Sequence, residues 1–115
     1  MHELGIANSI FEAVRTEAQQ RAGARVCKVG LRVGEWAGVD PEALRFCLES
    51  LAKDTPLEPL LLEIETCARQ QRCSRCGHTF RVVDYDTTCP GCRSMETECV
   101  GGTELELSFL ELEEI

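Results

Sequence analysis

Hydrophobic residues recur every three or four positions in two segments of the chain, which is the spacing of a helix with one buried face. The first segment runs from Leu4 to Ala22 and precedes Gly23, a residue suited to the left-handed end of a helix. Its apolar positions are Leu4, Ala7, Phe11, Val14 and Ala18. The second segment follows Asp40 and Pro41, which suit the N-cap and first turn of a helix. Its apolar positions are Leu44, Cys47, Leu48 and Leu51, so the pattern predicts two helices.

Three other segments alternate apolar and polar residues, which is the two-residue period of a strand with one solvated face. Their apolar positions are Cys27, Val29, Leu31 and Val33 in the first, Leu60, Leu62 and Ile64 in the second, and Leu105, Leu107 and Phe109 in the third. A cysteine-rich segment separates the second strand from the third. The order helix, strand, helix, strand, cysteine segment, strand predicts an α+β fold of two helices and a three-stranded sheet with an inserted module. We expect residues 1–69 and 100–115 to form the main domain and residues 70–99 the module.

The chain of 115 residues carries a formal net charge of −8, distributed unevenly. Residues 1–69 hold 8 basic and 11 acidic side chains, residues 70–99 hold 4 of each, and residues 100–115 hold no basic and 5 acidic side chains. Nucleic-acid binding relies on Lys and Arg that displace counterions, so this charge argues against a nucleic-acid partner. The longest apolar run is three leucines, far short of the ~20 residues that cross a bilayer. With no apolar leader, these features predict a cytoplasmic protein without a membrane partner.

Four of the eight cysteines form two CxxC knuckles twelve residues apart, Cys73 with Cys76 and Cys89 with Cys92. Two such knuckles can close a tetrahedron of thiolates around zinc. A site with four thiolates has no open coordination position, so its expected role is structural and not catalytic. Two disulfides and an iron–thiolate site are the alternatives. The predicted cytoplasmic location and the preference of zinc for tetrahedral sulfur favour zinc.

Several other residues with chemical potential receive structural interpretations. We interpret His78, beside the first knuckle, as a solvated loop residue, with a bond to a thiolate or a second ion as the alternative. The cysteines outside the knuckles are expected to act as small residues without a metal role; they are Cys27, Cys47, Cys67 and Cys99. Trp36 is interpreted as a partly buried anchor, with a ligand-binding aromatic as the alternative. No nucleotide-binding fingerprint or nucleophile motif occurs in the sequence, so we expect a protein that is not an enzyme.

The first three residues, Met1, His2 and Glu3, carry a compact set of donors. The α-amine and the amide nitrogen of His2 close a five-membered ring with a metal ion, and that amide closes a six-membered ring with the imidazole of the same residue. The amide or carboxylate of Glu3 is the natural fourth donor. Tetragonal nitrogen and oxygen donors favour nickel(II) or copper(II) over zinc. An incidental surface histidine is the alternative interpretation of this tripeptide.

Over nearly its whole length the chain resembles the HypA/HybF family of hydrogenase maturation nickel metallochaperones. The features that carry the resemblance are Met1-His2-Glu3-Leu4 opening a helix, Gly34-Glu35 after a strand, an Asp40-Pro41 helix, and the paired CxxC motifs before a last strand. The resemblance implies a nickel site at Met1, His2 and Glu3. It also implies a structural zinc site formed by Cys73, Cys76, Cys89 and Cys92.

The same resemblance implies a non-enzymatic nickel carrier. Its expected partners are the large subunit of NiFe-hydrogenase and a HypB-type nickel GTPase, and in some bacteria the urease maturation proteins. The sequence leaves a monomer and a homodimer equally open. A zinc-ribbon adaptor for nucleic acid or protein is the alternative function, and a rubredoxin-like redox module is a third.

Overall fold

The computed structural model describes residues 2–21 and 23–114, which form two helices and six strands. The helices are α1 (His2–Gln20) and α2 (Pro41–Ala52). The strands are β1 (Ala24–Gly34), β2 (Leu62–Cys67), β3 (Gln70–Cys73), β4 (Thr79–Arg81), β5 (Thr97–Gly101) and β6 (Leu105–Glu114). They make two three-stranded sheets, β2-β1-β6 and β4-β3-β5. The predicted α+β fold, with a cysteine module inserted before the last strand of the main sheet, is confirmed.

The main sheet has β1 at its centre, parallel to β2 and antiparallel to β6. One face of β1 is almost fully buried at Val29, Leu31 and Val33, each 1% exposed. Both helices supply buried residues to the same core, namely Ala7, Phe11 and Val14 from α1 and Leu44, Cys47, Leu48 and Ala52 from α2. The helices therefore cover one face of the sheet, and this arrangement brings the beginning of α1 close to the segment that precedes α2.

Helix α2 begins as the sequence predicts. The carboxylate of Asp40 accepts hydrogen bonds from the backbone N–H groups of Glu42 and Ala43 at 3.0 and 3.5 Å, and Pro41 occupies the first turn. Helix α1 ends at Gln20, and Gly23 has the left-handed conformation expected beyond a helix end, with φ of +86°. Ala22, where the predicted helix ended, lies outside the described residues.

Two bulges correct the predicted strand faces. The β1–β6 register shifts at Cys27, which is half-buried and does not share the buried face with Val29. A second shift at Ser108 moves Phe109 to the opposite face of the sheet, where its ring covers Gly30. Leu110 and Leu112 take its place against the core. A strict period of two cannot reveal these positions, because each bulge inserts one residue and inverts the pattern beyond it.

The module leaves the main sheet after β2 and returns to it through Gly102. Only Ala68 and Arg69 separate β2 from β3. On the return, the backbone N–H of Trp36 donates to the carbonyl of Gly102 at 2.7 Å. A Cβ atom on Gly34 would lie 2.1 Å from that same carbonyl oxygen, so the crossing requires glycine at this position. Within residues 2–21 and 23–114, no helix has the length and apolar character needed to cross a membrane.

Candidate metal centres

The four knuckle cysteines converge at one end of the module. Their Sγ atoms all lie within 4.8 Å of one another, with 3.5 Å between Cys73 and Cys92 and 3.6 Å between Cys76 and Cys89. Zinc–sulfur bonds of about 2.3 Å in a tetrahedron place the sulfurs about 3.8 Å apart, so this cluster fits a zinc ion. A disulfide needs about 2.05 Å between sulfurs, and all four cysteines are free thiols.

The two knuckles share one backbone turn. The residue four positions after the first cysteine donates its N–H to that cysteine's carbonyl, from Gly77 to Cys73 and from Arg93 to Cys89, both at 2.9 Å. Gly77 and Arg93 both lie in the left-handed region, with φ of +78° and +66°. This turn aims backbone amides at the sulfurs, and the N–H of Cys76 donates to the Cys73 thiol at 3.5 Å. Such amide contacts orient and stabilise metal-binding thiolates.

The same amides divide the four thiols into two types. The amides of Cys76 and Arg75 lower the pKa of Cys73 to about 6, and burial opposes them. In the second knuckle, the amides of Cys92 and Gly91 lower the pKa of Cys89. The thiols of Cys76 and Cys92 also accept a hydrogen bond from a backbone amide. Each of them, however, donates its proton to a neighbouring thiolate, and this raises the pKa of Cys92 and raises that of Cys76 to about 12. The backbone amides thus favour the thiolate forms of Cys73 and Cys89, and a bound cation would displace the protons that the four thiols retain.

His78 does not join the thiol cluster in the structure. It is exposed, and its ring stacks on Phe80 with the ring centroids 6.1 Å apart and the planes inclined by 14°. Its backbone carbonyl accepts from the N–H of Cys73 at 2.9 Å, so the main chain of this residue supports the knuckle while its side chain faces solvent. This geometry agrees with the interpretation of His78 as a solvated loop residue.

The beginning of the chain differs from the sequence-based picture. The apolar pattern of the sequence began the first helix at Leu4, but α1 begins at His2, and His2 and Glu3 both lie in its first turn. Met1 lies outside the described residues. The first four N–H groups of a helix have no hydrogen-bond partner within the helix. The backbone nitrogens of His2 and Glu3 therefore remain available to a metal ion although both residues are helical.

The side chains of His2 and Glu3 meet each other and the segment before α2. The His2 side chain is 58% exposed, and its Nε2 lies 3.3 Å from the Glu3 carboxylate. The same Nε2 lies 2.7 Å from the carbonyl oxygen of Gly38, and the Glu3 carboxylate accepts from the backbone N–H of Asp40 at 3.5 Å. Sequence reasoning missed the contribution of this segment, because the contact joins residues 36 and 37 positions apart. In the sequence, the only feature that marked this segment was the turn between Gly34 and Gly38, which precedes the Asp40 cap.

Trp36, in that same turn, contacts the module. Its ring packs edge-on against Tyr85 with a centroid distance of 5.7 Å, and the Arg69 guanidinium lies 3.7 Å from its centroid. The carboxylate of the neighbouring Glu35 accepts from the backbone N–H of Arg69 at 3.3 Å and pairs with Arg81 at 3.7 Å. Trp36 is therefore a half-exposed anchor between the main sheet and the module, in agreement with its interpretation from sequence.

The fold and the paired knuckles define a small metal-binding protein, in which a four-thiol site is inserted into an α+β domain. The chain belongs to the HypA family, whose profile, described as hydrogenase/urease nickel incorporation, metallochaperone, matches residues 1–112. The hydrogenase maturation factor HypA of Pelodictyon phaeoclathratiforme is 39% identical over 114 residues, which cover 99% of this chain and 97% of that protein. The resemblance identified from the sequence is thus confirmed, and the zinc-ribbon adaptor is not favoured.

Two solved structures share the fold. The solution structure of a HypA protein superposes with a TM-score of 0.73 at 22% identity and covers 98% of this chain and 97% of that one. The solution structure of the Ni metallochaperone HypA from Helicobacter pylori gives a TM-score of 0.66 at 20% identity and covers 98% of both chains. These two structures support the fold, whereas the family profile and the curated relative place the chain among the nickel metallochaperones for hydrogenase maturation.

Proposed function

We propose that this protein binds Ni(II) through the α-amine of Met1, His2 and Glu3 and delivers it during the maturation of NiFe-hydrogenase. The observation that supports this proposal most directly is the meeting of the His2 and Glu3 side chains, 3.3 Å apart, at a helix end whose backbone nitrogens have no helical partner. An amine, a deprotonated amide, an imidazole and a fourth donor from Glu3 make a tetragonal set suited to nickel(II).

Delivery by ligand exchange follows from the exposure of this site. The His2 side chain is more than half exposed, so an acceptor protein can replace the donors one at a time. When the ion leaves, the amide nitrogen of His2 regains a proton from water, and this proton must be displaced again before the amide can bind nickel. A closed thiolate cage offers no such stepwise route, and this difference separates the cargo site from the thiol site.

We propose zinc as the resident ion of the site formed by Cys73, Cys76, Cys89 and Cys92, with a structural role. The sulfur separations support zinc, and the amides aimed at Cys73 and Cys89 favour their thiolate forms. Iron is the alternative ion for this donor set. The four cysteines all come from residues 70–99, so we retain that range as the zinc-binding unit and residues 1–69 with 100–115 as the nickel-binding unit.

The proposal includes the partners that the resemblance implies. These are the large subunit of NiFe-hydrogenase and a HypB-type nickel GTPase, and the family description adds urease as a second recipient of nickel. Stable free thiols need a reducing compartment, so the proposal places the protein in the cytoplasm. The chain acts as a carrier and not as an enzyme, either as a monomer or as a homodimer.

A nickel titration of zinc-loaded protein with its native N-terminus tests the carrier function. We expect the parent to bind one Ni(II) with the visible absorption of a tetragonal nitrogen site, and His2→Ala to lose this binding. His78→Ala is the matched control, because it removes the other histidine of the chain from an exposed loop. His2→Ala with the nickel affinity of the parent would contradict the N-terminal site, and loss of binding in His78→Ala alone would move the site to the module.

A further inference from the structure

Two separate contacts fix the beginning of α1 to the segment before α2. His2 Nε2 lies 2.7 Å from the carbonyl oxygen of Gly38, and the Glu3 carboxylate accepts from the N–H of Asp40 at 3.5 Å. Both residues are proposed nickel ligands, and both side chains reach the backbone of the same three-residue stretch, Gly38 to Asp40. The segment therefore lies against His2 and Glu3 and contributes only backbone atoms to these two contacts.

The Gly38 contact determines which ring nitrogen of His2 is free. A carbonyl oxygen only accepts hydrogen bonds, so Nε2 must carry the proton. In a neutral imidazole the lone pair is then on Nδ1. Chelation through Nδ1 closes a six-membered ring with the His2 amide nitrogen, whereas chelation through Nε2 requires a seven-membered ring that spans the rigid imidazole. The contact therefore selects the tautomer that the chelate needs.

From this geometry we propose that the carbonyl of Gly38 is a positioning group of the nickel site. It holds the Nε2–H of His2 and thereby presents Nδ1 to nickel. This inference rests on the proposed N-terminal site. It adds a residue that contacts the imidazole of His2 but does not contact the ring nitrogen that binds nickel. Metal-binding histidines commonly donate their second N–H to a carbonyl or a carboxylate, and loss of that partner lowers metal affinity by about 10- to 100-fold.

The backbone around Gly38 is fixed independently of His2. Gly38 adopts φ of +76°, a conformation that favours glycine, and the turn before it is closed by the N–H of Ala37 bonding to the carbonyl of Gly34 at 3.0 Å. Trp36 is held between Arg69 and Tyr85, and Asp40 caps α2. The Gly38 oxygen therefore has a defined place before nickel arrives. The Glu3 carboxylate is a second partner for Nε2 but lies farther away, at 3.3 Å.

Methylation of one ring nitrogen at a time tests this inference. Semisynthetic protein with a native Met1 amine carries Nδ1-methylhistidine or Nε2-methylhistidine at position 2, and nickel binding is measured by competition with a chelator and by visible absorption. We expect the Nδ1-methyl protein to lose nickel binding as completely as His2→Ala. We expect the Nε2-methyl protein to keep the absorption band of the parent, which reports the donor set, while binding nickel about 10- to 100-fold more weakly.

A peptide of residues 1–4 is the matched control, because it contains the same donors without Gly38. In the peptide, Nε2-methylation is expected to leave nickel affinity unchanged, which assigns the loss in the protein to the Gly38 contact. Equal affinity of the parent and the Nε2-methyl protein would overturn the inference. A changed absorption band, or stronger binding by the Nδ1-methyl protein, would overturn it by making Nε2 the ligand. Full nickel affinity in His2→Ala would instead overturn the proposed function itself.

Discussion

The guanidinium of Arg69 lies 3.7 Å from the centre of the Trp36 ring, joining the turn after β1 to the two-residue link between β2 and β3. Tyr85 of the module packs edge-on against the same Trp36 ring, with the two ring centroids 5.7 Å apart. The same turn carries Gly38, which contacts His2. One short segment thus supports the proposed nickel ligands at one end and the cysteine module at the other.

Trp36→Ala should lower the free energy of unfolding by about 1–2 kcal/mol. The loss combines an exposed cation–π contact, worth about 0.5–1 kcal/mol, with an aromatic pair, worth at least about 0.5 kcal/mol. Urea unfolding followed by circular dichroism measures the change. Phe46→Ala is the matched control, because Phe46 is an aromatic residue that is 70% exposed, and its loss should change stability by less than about 0.5 kcal/mol. Equal effects of the two variants would contradict an anchoring role for Trp36.

Gly34→Ala and Gly5→Ala should change stability in opposite directions. A Cβ atom on Gly34 would lie 2.1 Å from the backbone oxygen of Gly102, so the two chain segments would have to separate. The free energy of unfolding should therefore fall by more than about 2 kcal/mol. Gly5 lies in α1 with no atom within 4 Å of an added Cβ, so alanine there should stabilise the protein by about 0.5–1 kcal/mol. Thermal unfolding of both variants tests the pair, and a neutral Gly34→Ala would show that the crossing tolerates a side chain.

Local sequence signals predicted both helices, the three strands of the main sheet and the clustering of the four thiols, but not the module strands β3, β4 and β5. The Asp40 cap, the apolar period of α2 and the spacing of the two knuckles each report geometry that neighbouring residues determine. The predicted faces of Cys27 and Phe109 were wrong, because the bulges at Cys27 and Ser108 arise only when β6 pairs with β1.

The environment of His2 also lay beyond sequence reasoning. Its contact with Gly38 depends on how α1 and α2 pack on the sheet, and the acceptor is a backbone oxygen that every residue type possesses. A compositional pattern identifies donors such as an imidazole and a carboxylate, but it cannot identify which carbonyl will orient them. The tripeptide therefore indicated which metal could bind, whereas only the packing of the helices showed that the Gly38 carbonyl contacts His2.

Removal of the proposed zinc ion should unfold the module and leave the main sheet folded. Within residues 70–99, the buried residues are Gln71, Cys73, Val82 and Cys89, and two of these four are knuckle cysteines. A module with so little apolar burial depends on its metal for stability. Cys73→Ser should therefore abolish zinc binding and collapse the amide resonances of residues 70–99, with the α1, α2 and β1 resonances retained. Cys99→Ser, at an exposed position in β5 of the module, should keep its zinc. A folded module in Cys73→Ser would contradict the structural role.

Glu104 should contribute stability that depends on pH. Its own backbone N–H and that of Gly102, which donates at 2.8 Å, lower the pKa of the carboxyl below its ordinary value of 4.5. A carboxyl whose pKa is lowered on folding stabilises the protein above its unfolded pKa, and this contribution is lost as the pH falls through the lowered folded value. Glu104→Gln should therefore be less stable than the parent from pH 6 to 8, and the difference should shrink below about pH 4.5. A difference that stays constant down to pH 3 would contradict this linkage.

Extension of the N-terminus by one residue should weaken nickel binding as severely as His2→Ala. The added residue converts the α-amine of Met1 into an amide, whose nitrogen is far less basic, and it moves the new amine away from the position that closes the five-membered ring. Acetylation of Met1 should have the same effect, because it also removes the amine. Isothermal titration with Ni(II) compares the extended protein, the acetylated protein and His2→Ala with the parent. Zinc content is the internal control, because the thiol site shares no donor with the N-terminus. Unchanged nickel affinity in the extended or acetylated protein would exclude the amine as a ligand while leaving the zinc assignment intact.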